Sequence, residues 1–158
     1  FDISELLVAA GANATIADKK GETPLMHAVK EIAIGEDARE ARHRLVQQLI
    51  EKGADTNSRA IDGISPLMRS ASAGNHYMVR LLAQHGANPN ATDSDGATPL
   101  FWALSGSASP RNRNATLLEL IRVGANTAAK RKDGKTIFDL AESEVAQEIK
   151  NHLSNIAK

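Results

Sequence analysis

One length never varies in this chain. A glycine is followed ten residues later by another at Gly11 and Gly21, Gly53 and Gly63, Gly86 and Gly96, and Gly124 and Gly134. The fullest copy, Gly86 to Leu100, sets turn-forming residues between its glycines and ends in Thr98-Pro99-Leu100. Glycine is used where a chain leaves a helix or turns with positive φ, so the recurrence predicts four copies of one backbone turn. The leading glycines stand at 11, 53, 86 and 124, giving periods of 42, 33 and 38. Since the turn keeps its length, all variation falls between turns: the 33-residue unit has a neighbour nine residues longer upstream and one five longer downstream.

The segments between turns read as helix pairs. Thr23-Pro24, Ser65-Pro66 and Thr98-Pro99 each put a capping hydroxyl before a proline at the first helical position, where its missing N–H costs nothing. The predicted first helices run from Pro24 to about Ala33, from Pro66 to the Gly74-Asn75 break, and from Pro99 to about Ser105. The predicted second helices start near Asp37 and end at about Lys52, then span Met78–His85 and Ala115–Val123. Gly106–Asn114 is expected to be an irregular polar loop, and the Glu36–Arg44 insertion to lengthen a helix. In the last unit Ile137 replaces proline after Thr136, and a polar helix follows over Ala141–Leu153. Residues 1–10 carry the apolar stripe Ile3, Leu6, Leu7 and Ala10 of a further helix. That helix reads as the second half of a unit whose first half is missing.

Composition narrows the function classes. Apolar residues make up 42% of the chain but aromatics only 3%, which suits packed helices of small aliphatics. Nineteen basic residues balance nineteen acidic ones, so no global field draws in nucleic acid or a membrane surface. The chain has no cysteine, which removes disulfides, thiolate catalysis and cysteine-bound zinc. No apolar run approaches the roughly 18 residues that span a bilayer. A soluble protein is expected, cytoplasmic by default, with a periplasmic or secreted location also open. The start at Phe1 leads to the expectation of an upstream leader or larger segment.

The 33-residue period, the Thr-Pro-Leu helix starts and the Gly-Ala-Asp/Asn turns (Gly53-Ala54-Asp55, Gly86-Ala87-Asn88, Gly124-Ala125-Asn126) resemble the ankyrin repeat. The resemblance implies an all-α solenoid of stacked helix-turn-helix units with hairpin-like connecting turns. The whole chain, 1–158, would be one such domain. It divides into a trailing half repeat (1–17), a repeat with the nine-residue insert (18–59), a plain repeat (60–92), a repeat with the five-residue insert (93–130) and a degenerate C-terminal cap (131–158). Where the family has histidine after Thr-Pro-Leu, Met26, Met68, Phe101 and Asp139 stand here. Weaker links between neighbouring turns are the expected consequence.

Catalytic and metal motifs are not found. His27, His43, His76, His85 and His152 lack His-x-x-x-His spacing, and no nucleophile elbow, P-loop or dinucleotide-binding glycine motif occurs. Asp93-Ser94-Asp95-Gly96 fails as a calcium loop, because Trp102 stands where the twelfth-position glutamate belongs. No catalytic residue, metal or cofactor is therefore expected. Lys130-Arg131-Lys132 reads as a solvated basic tip, with an acidic partner or a phosphate backbone as the other reading.

The resemblance implies a non-catalytic protein-binding module, monomeric by itself, that uses hairpin tips and a concave first-helix face. The residues at those positions are Lys19, Lys20, Glu22, His27, Lys30, Arg59, Ile61, Asp62, Ile64, Arg69, Ser94, Asp95, Trp102 and Lys132. Ile61 and Ile64 are the expected apolar contacts, and Trp102 is either an anchor or a packing residue. A protein is the expected partner, with neither nucleic acid nor membrane. Two related readings stay open: a stoichiometric inhibitor or immunity-type protein, and the binding domain of a larger, possibly enzymatic, protein.

Overall fold

Both glycines of every pair adopt the predicted positive φ, from 74° at Gly21 to 97° at Gly124. The computed structural model describes residues 11–30 and 35–156. The stripe over residues 1–10 and the first helix beyond Lys30 lie outside them. Among the described residues there are eight helices and no strand: α1 (Pro24–Lys30), α2 (Glu36–Glu51), α3 (Pro66–Ser72), α4 (His76–Gln84), α5 (Pro99–Ser105), α6 (Pro110–Arg122), α7 (Ile137–Leu140) and α8 (Ser143–Ile156).

The first helices α1, α3 and α5 stack side by side, and each packs against its own second helix, α2, α4 or α6. The repeat recurs side chain by side chain. Leu25, Leu67 and Leu100 follow the three prolines and are no more than 1% exposed, while Leu49, Leu82 and Leu120 fill the matching place on the second helices. Each such burial contributes about 1.5–3 kcal/mol. One turn on from the first-helix leucines stand Ala28, Ser70 and Ala103, all buried and small enough to let helices approach. The Ser70 hydroxyl donates to the Leu67 carbonyl at 2.9 Å, so its burial leaves no orphaned donor.

Two expectations need correction. Most of Gly106–Asn114 is not a loop. Helix α6 begins at Pro110, and the Ser109 hydroxyl caps it by accepting the Asn112 N–H. Ser109-Pro110 carries the same cap-and-proline start as Ser65-Pro66, so the polar side chains beyond it lie on a helix. Ile64, expected to be an exposed contact, is only 7% exposed. Its carbonyl closes the hairpin onto the Ala60 N–H at 2.9 Å, and its side chain joins Met26, Met68 and Ala60 in a small core. Apolar packing, in this core and in the main one, also explains three of the four departures from the family histidine. Met26 and Met68 are fully buried and Phe101 nearly so, so the position is filled by apolar packing. In the last unit Asp139 takes this position, and its carboxylate accepts from the Thr136 N–H and hydroxyl.

On the outer side Glu119 joins α4 to α6. Arg80 donates to both its oxygens at 3.0 and 2.9 Å, and Arg122 adds a bond at 2.9 Å. The Arg80 hydrogen bonds, above all, hold the Glu119 carboxyl at about 2, against the opposing effect of burial. A depressed carboxyl stabilises the fold above its unfolded pKa of about 4.3 and loses that contribution as pH falls through the folded value. Because both arginines are about half exposed, roughly 1–2 kcal/mol is expected at pH 7. Glu119→Gln should therefore melt below wild type at neutral pH, with the gap closing by pH 2. A gap of constant size across that range would show that the charge contributes nothing.

Candidate functional site: a row of linked hairpin tips

All four ten-residue turns close alike. Asp18, Ala60, Asp93 and Arg131 donate their N–H to Glu22, Ile64, Ala97 and Lys135, and their carbonyls accept from Gly21, Gly63, Gly96 and Gly134. In the first and third turns a carboxylate reinforces the loop. Asp18 Oδ1 accepts the N–H of Lys20 and Glu22, and Asp93 Oδ1 that of Asp95 and Ala97, all within 2.9 Å. Short acidic side chains stabilise turns in this way, which supports the turn reading of Asp93–Gly96.

Each tip is bonded to the next. The Ile61 N–H donates to the Lys20 carbonyl at 3.0 Å, Ser94 to Asp62 at 2.9 Å and Lys132 to Asp95 at 3.0 Å. The tips come this close because the second glycine lacks a Cβ: at Gly63 one would lie 3.2 Å from the Asp93 Cα and the Ser94 nitrogen. Deeper in the turns an asparagine ladder runs parallel. Asn57 donates to the Gly86 carbonyl and accepts the Asn88 N–H, and Asn90 does the same with Gly124 and Asn126. The Arg59 guanidinium reaches the Thr92 carbonyl of the following turn. Sequence reasoning missed this ladder, although Asn57 and Asn90 stand one 33-residue period apart, four residues after their glycines. It supplies links between turns that the absent histidines led us to expect would be weak.

Four tips thus form one row. Lys19, Lys20, Ile61, Asp62, Ser94, Asp95 and Lys132 are exposed along it, with Arg59 at its base and His27 and Lys30 exposed on α1 beside it. Ile61, at 77%, is the most exposed large apolar side chain among the described residues. Glu22, expected to face a partner, is instead buried and accepts a bond from Arg69 of the next first helix. Burial of this carboxylate is tolerated because the guanidinium pairs with it. Trp102 is half-buried against both apolar clusters, and its Nε1 donates to Asp93 Oδ2 at 2.8 Å. Its indole packs between first helix and turn with its polar handle satisfied.

A second concavity lies on the outer side, between the two inserts. The backbones of α4 and α6 pack closely, whereas α2 stands off from α4. The gap, about 250 Å³, is lined by Arg39 and His43 of α2, Asn112 of α6, and Gly74, His76 and Tyr77 of the short unit between them. Tyr77 is half exposed, stacks on His76 at 4.1 Å and lies 5.8 Å beneath the Arg39 guanidinium. Burial, then the Arg80 charge, pushes the His76 pKa down, which favours a neutral ring. This groove is not legible from the residues alone, because its walls come from insertions two repeats apart.

Two comparisons bear on identity. A family model described as ankyrin repeats, in three copies, matches residues 36–131, more than half of the chain. No curated protein matches the sequence. Among the described residues no helix is long and apolar enough to cross a membrane.

Proposed function

The chain belongs to the ankyrin-repeat family, and we propose that it is a non-catalytic protein-binding module whose partner docks on the row of hairpin tips. Ankyrin repeats are generally protein–protein interaction modules. A stack of repeats offers a broad surface whose exposed residues vary without disturbing the core. Family likeness supports the class of function; the choice of surface rests on this chain's own residues.

The observation that carries the choice of face is the backbone ladder between tips. The backbone of a row tied together at Lys20–Ile61, Asp62–Ser94 and Asp95–Lys132 loses little further freedom when a partner arrives, which lowers the cost of binding. Ile61 supplies an exposed apolar anchor. Lys20, bonded to it through the backbone, and Lys19 put cations beside it. This arrangement suits a partner with an apolar recess bordered by acidic groups. Lys30, His27 and the exposed part of Trp102 extend the surface along the first helices.

Affinity capture with the full chain as bait, followed by mass spectrometry and native-mass stoichiometry, tests the proposal. A protein recovered at one copy per chain and dissociating at high salt is the expected result. Recovery of no protein above background from the cells that express the chain would refute it.

A further inference from the structure

We propose that Asp18, Glu22 and His27, at the first hairpin and the start of α1, form a binding site for a divalent zinc-like ion. The reading does not depend on the protein partner. One ligand atom from each residue lies within 4.8 Å of the others. The His27 Nε2 stands 3.4 Å from Asp18 Oδ2 and 3.4 Å from Glu22 Oε2. The contact to Asp18 is a hydrogen bond, but both separations are longer than the 2.9–3.0 Å typical of an N–H···O bond, so neither holds the nitrogen tightly. They also match a coordination edge. Ligands about 2.0–2.1 Å from a tetrahedral zinc lie about 3.3–3.4 Å apart.

The chemistry of the set selects among metals. Calcium could accept the spacing but takes oxygen ligands, and magnesium's octahedral geometry at about 2.0–2.1 Å draws neighbouring ligands closer than this. Imidazole with carboxylates suits zinc and its transition-metal neighbours. Each carboxylate presents one oxygen because its other is occupied. Asp18 Oδ1 accepts the N–H of Lys20 and Glu22, and Glu22 Oε1 accepts from Arg69. Contacts of this kind fix the orientation of metal ligands. Of the charges in direct contact with one another here, the two carboxylates outnumber the Arg69 guanidinium, while Lys19 and Lys20 of the same turn are exposed to solvent. Asp18 and His27 are each nearly half exposed whereas Glu22 is buried, so the site has a floor and an open entrance. Three protein ligands leave a fourth position for water.

The experiment titrates the full-length chain with Co2+ alone and follows visible absorption, then displaces the ion with Zn2+. One Co2+ per chain with the intense bands of a tetrahedral site, lost on zinc addition, is expected. His27→Gln and Asp18→Asn should each weaken binding at least tenfold while helical circular dichroism is kept, and His85→Gln, an exposed histidine elsewhere, should bind like wild type. Zinc should raise the melting temperature of wild type but not of the His27 variant. Absence of saturable binding below millimolar ion, or binding undiminished in His27→Gln, would overturn the proposal and leave His27 as a histidine resting between two carboxylates.

Discussion

Gly106→Ala is expected to destabilise the fold by about 2–4 kcal/mol, although Gly106 has a φ of −69° that any residue adopts. The reason is contact. A Cβ there would lie 2.1 Å from the Ser72 carbonyl oxygen and 2.8 Å from its carbon, both backbone atoms at the end of α3. No side chain can swing aside, so the second insert or the end of α3 must move, together with the packing of α5 on α6. Gly86 provides the comparison. Its φ is 82° and nothing lies within 4 Å of an added Cβ, so Gly86→Ala carries only the backbone term of about 1–2 kcal/mol. Urea unfolding of both variants separates steric from conformational need. Equal losses, or a larger loss at Gly86, would contradict the close approach at Ser72.

This contrast marks what could be read from residues alone. The paired glycines announced themselves through spacing, because a turn of fixed length needs the same φ at the same places. Helix starts at Pro24, Pro66 and Pro99 were legible because hydroxyl and proline stand next to each other. Ser109-Pro110 carried the same signal, but the polar run after it read as a loop. A helix that is polar on its exposed side is held by tertiary burial, here of Thr116, Leu117 and Leu120, all 1% exposed or less. Ile64 was misplaced for a related reason. Only Asp62 and Gly63 separate it from Ile61 at the end of the turn, and only the hairpin register sends one toward Met68 and the other into water. The Glu22–Arg69 pair and the groove around Tyr77 join residues from different repeats, and one sequence carries no record of such distances.

The largest functional effect is expected from Ile61→Asp combined with Lys20→Glu. Ile61 is exposed and touches the fold through its backbone, so a polar replacement removes no core contact. Stability should stay within about 0.5 kcal/mol of wild type. Losing an apolar anchor and reversing a neighbouring charge should together cost partner binding about 2–3 kcal/mol or more, roughly a hundredfold in affinity. Trp102→Ala is a poorer probe, since it also removes the bond to Asp93 and packing against both apolar clusters. Tyr77→Ala, in the groove between the inserts, supplies the opposite control.

The most direct measurement is therefore the affinity of the captured partner for three purified chains: wild type, the Ile61→Asp/Lys20→Glu variant and Tyr77→Ala. Binding weakened about a hundredfold by the tip variant and unchanged by Tyr77→Ala is the result the linked row of tips predicts. Full binding by the tip variant with loss in Tyr77→Ala would contradict it and move the partner to the groove between the inserts.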